Sequence, residues 1–184
     1  MLWIIIIVLI AFIAYNLFPI NAIYGGKVRD RGTALIMILK TPVCVKEIRN
    51  KYIRTDGQPP HITLGYLDKG FDEEAILKHL RSIRPGPIEF DKWKHSETFI
   101  GLVPKNIDEV KKILEPIAQY ISNGPRGGYH MSLAYKPNEA PLDAYTHKKV
   151  HDLLQLPIKC PVLEIRLAKL MGDTWIKHKA AYYD

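Results

Sequence analysis

The pattern of hydrophobic and polar positions divides the chain into an apolar start and an alternating remainder. From Leu2 to Phe18 (LWIIIIVLIAFIAYNLF) only Asn16 is polar. About seventeen such residues reach the low end of what spans a hydrocarbon core as a helix. The run is too long for one buried strand. A cleaved signal peptide opens with a basic segment, whereas here the basic residues Lys27, Arg29 and Arg31 come afterwards. Basic residues on that flank tend to stay cytoplasmic. The expectation is a single-pass membrane anchor over residues 1–20 and a Gly-containing linker over 21–32. The domain that follows, 33–184, would face the cytoplasm.

The remainder reads as two halves with the same order of elements. In the first, the apolar run Ala34 to Leu39 predicts a buried strand, and VCVKEIRNKYIR has helical spacing. HITLGYL alternates as a strand, FDEEAILKHLRSIR is a helix with acidic residues first and basic ones last, and GPIEFDKWKH is a strand. The second half repeats this. TFIGLV is a strand and NIDEVKKILEPIAQYIS a helix capped by Asn106, with Pro116 as a kink or break. HMSLAY alternates, a helix follows near Asp143 to Leu156, and VLEIRLAKLM and TWIKHKAAYY are strands. His61-Ile62-Thr63-Leu64 matches His130-Met131-Ser132-Leu133, and PIEF matches PVLEI with one inserted residue. The pattern predicts an α+β, bilobal, duplicated architecture: two antiparallel-type sheets flanked by helices, after an N-terminal transmembrane helix.

Composition narrows the partners. Of 184 residues, 47% are hydrophobic and 24% charged, which excludes global disorder. The formal charge is +7 and no charged residue precedes Lys27, so the whole excess falls on the domain. Such a surface favours phosphate esters, nucleic acid or an acidic membrane face. Cys44 and Cys160 are far apart, with no CxxC or Cys/His cluster, and read as core residues rather than a zinc site.

Alternation puts His61 and Thr63 on one face of their strand and His130 and Ser132 on one face of theirs. Two imidazoles, one neutral and one protonated, can serve as base and acid at a phosphodiester, while two hydroxyls hold its non-bridging oxygens. A single H-x-T in a strand says little. Two at matching places of a repeat, each after a loop-forming segment, are hard to explain by packing.

HITL and HMSL resemble the paired H-x-[ST]-hydrophobic signatures of the 2H phosphoesterase superfamily, which includes LigT-like RNA ligase/cyclic phosphodiesterases. The resemblance covers about residues 33 to 182. It implies a bilobal fold, and hydrolysis or transfer at a phosphodiester beside a ribose hydroxyl without a metal or other cofactor. By position, His61 and His130 would be the catalytic pair and Thr63 and Ser132 the phosphate-binding hydroxyls. The substrate expected is a 2′,3′-cyclic phosphate or a 2′-5′-linked or cyclic oligonucleotide, acted on by a monomer. RNA 3′-end processing is an alternative within the enzymes. A non-catalytic, membrane-tethered nucleotide- or RNA-binding module is an alternative outside them, disfavoured by two matched acid–base groups.

Further residues near the motifs are candidates for substrate contact. Arg126 and Lys136 flank the second motif, and Trp175 is available for base stacking. Alternation sends Tyr66, Tyr129 and Tyr135 to the face away from the histidines. Lys92, Lys94 and His95 around Trp93 read as a surface patch. His147 and His151 have helical spacing but no apparent third ligand for a metal.

Overall fold

The computed structural model describes residues 30–52, 58–125, 127–135, 140–171 and 174–183. The expected anchor and all but the end of the linker lie outside these. Among the described residues no helix is long and apolar enough to cross a membrane.

The first half folds as β1 (Asp30–Leu39), α1 (Val43–Tyr52), β2 (His61–Leu67), α2 (Glu73–Ser82) and β3 (Ile88–Ser96). The second is β4 (Phe99–Pro104), α3 (Ile107–Leu114), a 3₁₀ turn (Glu115–Tyr120), β5 (Ile121–Asn123), β6 (Met131–Tyr135), α4 (Ala144–Leu153), β7 (Ile158–Cys160), β8 (Val162–Met171) and β9 (Thr174–Tyr182). The short strands β5 and β7 carry no alternation long enough to read in advance.

Local chemistry sets several boundaries. Asp72 caps α2 by accepting from the Ala75 amide at 2.9 Å, and Asp143 caps α4 through the Thr146 amide at 2.7 Å. Pro116 has no amide hydrogen for an i−4 bond, and the α-helix gives way to a 3₁₀ turn from Glu115. Asn106 departs from expectation. Its side chain makes no cap bond but donates to the Pro87 carbonyl and accepts from the Glu89 amide, both at 3.2 Å, tying α3 to β3.

The expected pair of sheets is instead one antiparallel sheet in the order β7-β3-β4-β6-β2-β1-β8-β9, with β5 also paired to β2. The two motif strands join edge to edge at one rung, Ile62 with Met131. The order is symmetric about that seam, with β6-β4-β3 on one side and β2-β1-β8 on the other. One long strand of each half lies in the opposite lobe: β3 pairs with β4, and β8 with β1. The lobes are therefore not the two contiguous halves of the chain.

The large core lies between one sheet face and the helices. Leu35, Met37, Ile62, Leu64, Leu102, Met131 and Leu133 meet Ile48, Ile76, Leu80, Val110 and Val150 there. On the other face a small cluster, Ala34, Ile36, Ile38 and Ala168 with Tyr66 against it, contains no helical residue. That face, whose apolar cluster holds no helical residue among the described residues, carries the candidate site.

Candidate active site

The seam is one rung wide: Ile62 of β2 pairs with Met131 of β6. Both side chains are fully buried in the large core, so their strand neighbours point to the open face. In an antiparallel pair the positions flanking this rung bring His61 beside Ser132 and Thr63 beside His130. By register, each histidine faces the hydroxyl of the other motif across the seam. All four are partly exposed.

The imidazoles are held alike. His61 Nδ1 lies 2.9 Å from the Pro59 carbonyl, and His130 Nδ1 lies 2.7 Å from the Gly128 carbonyl, two residues back in each case. A carbonyl only accepts, so Nδ1–H donates in both rings and the Nε2 side carries the basic lone pair of the neutral imidazole. Burial holds the His130 imidazole below the ordinary histidine value; the Gly128 bond opposes this, and the charge of Lys94 adds to it. The ring of Phe99 stands edge-on to His130, centroids 4.9 Å apart.

The motif strands carry matching bulges. Opposite β1, Ile36 pairs with Thr63 and Leu35 with Gly65, leaving Leu64 extra. Opposite β4, Gly101 pairs with Ser132 and Ile100 with Ala134, leaving Leu133 extra. A bulge shifts the later residues of the strand to the other face. Tyr66 then lies opposite Ala34, and Tyr135 opposite Phe99. Both tyrosines are on the histidine face, contrary to simple alternation. Tyr129 packs against the large core, on the other side.

Two cations on this face escaped the sequence reading. Across β1 from Thr63, Ile36 pairs in turn with Arg166 of β8. Across β4 from Ser132, Gly101 pairs with Lys94 of β3. Lys94 and Arg166 thus hold equivalent places beside the two hydroxyls, and Lys94 is not merely part of a surface patch. The match of PIEF with PVLEI holds only in that Pro87 and Pro161 immediately precede β3 and β8. The sheet registers equate Lys94, seven residues after Pro87, with Arg166, five after Pro161, so the match does not extend to the cations. No spacing along the chain signals either cation, since each reaches the site through two neighbouring strands.

A third cation, Arg49, is buried and braces the seam. Arg49 of α1 is 4% exposed; it donates to the Ser132 carbonyl at 2.5 Å and to the Gln58 carbonyl at 3.2 Å. It links the loop before His61 to the strand carrying Ser132. The Gln58 side chain accepts from Arg166 at 2.9 Å. Arg166 is also paired with Glu164, which takes Lys177 at 3.0 Å.

Of the remaining candidates, Arg126 and Lys136 lie outside the described residues. The backbone of Trp175 pairs with Leu170 near the end of the β8–β9 hairpin. That is four residues, ~13 Å, along β8 from Arg166. His147 and His151 do acquire a neighbour, the His95 ring, at 6.3 and 6.2 Å between centroids. Among the described residues, however, no group of three His, Cys, Asp or Glu side chains is placed to hold a metal ion. His79 and His178 serve local ties to the Ile113 carbonyl and to Glu73.

No protein-family model matches the sequence, and no curated protein matches it. Solved structures do. A crystal structure of a phosphoesterase superposes with a TM-score of 0.51 at 14% identity, covering 84% of this chain and 99% of that one. The crystal structure of E. coli LigT complexed with 3′-AMP gives 0.48 at 16% identity, covering 82% and 98%. The chain shares its fold with that phosphoesterase over nearly the whole of the latter.

Proposed function

We propose that this protein is a two-histidine phosphodiesterase acting on a 2′,3′-cyclic phosphate or on a 2′-5′-linked or cyclic oligonucleotide. The observation that carries the reading is the fourfold arrangement about the Ile62–Met131 rung, with two hydroxyls and two imidazoles that are each fixed through Nδ1 by a backbone carbonyl two residues back.

His130 is the general base, because burial and Lys94 favour its neutral form. Its Nε2 takes a proton from the attacking water as the new O–P bond forms. His61 is the general acid. Its Nε2–H protonates the ribose oxygen as the P–O bond to it breaks, so one proton enters and one leaves the enzyme. Thr63 and Ser132 donate to the non-bridging oxygens, where charge concentrates in the transition state. No metal takes part. The apolar segment 1–20 would hold the enzyme at a membrane with its domain in the cytoplasm; release by carbonate at high pH would refute that placement.

The test is turnover of 2′,3′-cyclic nucleotides, 2′-5′ oligoadenylate and cyclic di- and trinucleotides in excess EDTA. Cleavage of one class that is lost in both His61→Ala and His130→Ala is the expected result. Activity abolished by EDTA, or retained by either variant, would overturn the mechanism.

A further inference from the structure

Lys94 and Arg166 share more than a sheet position. Lys94 donates through Nζ to the carbonyl of Gly127, three residues before His130. Arg166 donates through Nη1 to the side chain of Gln58, three residues before His61. Each cation therefore reaches over a central strand to the same point of a motif loop. Arg166 is 9% exposed, and its Nε has no hydrogen-bond partner among the described residues. Buried N–H groups are ordinarily satisfied. Around it, Arg166 and Lys177 share the single carboxylate of Glu164, leaving one positive charge in excess. Lys94 supplies one positive charge at the equivalent place. The loop oxygens they rest on are neutral, and phosphate oxygens are stronger acceptors for Lys and Arg.

We propose that Lys94 and Arg166 are paired anion subsites, one on each side of the scissile phosphate. The site then selects a substrate carrying phosphates on both neighbouring nucleosides, an oligonucleotide rather than a lone nucleoside cyclic phosphate. This rests on the phosphodiesterase reading and refines it. The backbones of Ser132 and Lys94, and of Thr63 and Arg166, are two strand spacings apart, roughly 10 Å. With side chains leaning inward, that leaves each cation one phosphate away from the centre.

Two measurements separate this proposal from the reading beneath it. The first is kcat/KM of the full chain, Lys94→Gln, Arg166→Gln and Arg166→Lys on a cyclic phosphate with one phosphate and on a trinucleotide. Above the acid limb of the pH profile, each Gln variant is expected to lose at least about 10-fold more on the trinucleotide than on the small substrate, mainly through KM. Arg166→Lys should recover part of the loss, which a folding defect would not allow. The second is binding, as salt is raised, of a fluorescent thymidine trinucleotide with a 5′-phosphate, which carries three phosphates and neither a 2′-5′ linkage nor a 2′,3′-cyclic phosphate. Each Gln variant should weaken binding and lower the slope of log K against log salt by about one charge. Equal losses on both substrates, or an unchanged salt slope, would overturn the proposal. If no substrate were turned over while the salt slopes changed as expected, the phosphodiesterase reading would fail and the subsites would stand.

Discussion

Arg49 donates to the backbone carbonyl of Ser132 at 2.5 Å from a helix in the other half of the chain. The strands it braces share a single rung, Ile62 with Met131, so the placement of one histidine against the other rests heavily on this bond. Misplacement by about 1 Å can cost ~10²-fold in rate. Arg49→Met is expected to lower kcat by about that factor with KM changed little, and Arg49→Lys by less. Steady-state kinetics corrected for the folded fraction, read from circular dichroism, check this; a loss fully accounted for by a smaller folded fraction would make Arg49 purely structural.

Removing either His61 or His130 should lower kcat/KM by ~10²–10⁴-fold. Because the two act in one step, the double variant should be little worse than the poorer single one. Thr63→Val and Ser132→Ala should each cost ~10²-fold, chiefly in kcat, by removing a donor that the transition state needs most. Additive losses across the four positions would contradict a shared phosphate.

The pH profile follows from the direction of the His130 shift. A base works only when unprotonated, and the His130 value lies below the ordinary one near 6.5. The acid limb of kcat/KM should accordingly fall below that value. Lys94→Gln removes one lowering cause and should move the limb upward. Stability has its own sign. Between the lower folded value and the unfolded one the unfolded chain binds more protons, so this group makes the fold more stable as pH rises through that window. Urea titrations at pH 5 and 7, compared with His130→Gln, test it.

Gly101 has a steric reason to be glycine. A Cβ there would lie 2.5 Å from Phe99 Cζ and 2.8 Å from the Met131 carbonyl. Gly101→Ala is expected to cost ~1–3 kcal/mol and to displace the Phe99 ring from His130. Denaturant unfolding and the His130 ring resonances measure both effects.

Much of this was legible in the chain by itself. The duplicated order of elements, the core faces of the helices and the two H-x-[ST] motifs follow from local periodicity and from turn and cap residues, which act within a few positions. Three-dimensional pairing decided the rest. Leu64 and Leu133 look like ordinary members of alternating strands, and only the register against β1 and β4 makes them bulges that turn Tyr66 and Tyr135 toward the histidines. Arg49, Lys94 and Arg166 stand in no motif. They reach the site because β3 and β8 each lie in the opposite lobe and α1 packs across the seam. Side-chain periodicity is a property of one segment, whereas the neighbour across a strand is chosen by the whole sheet.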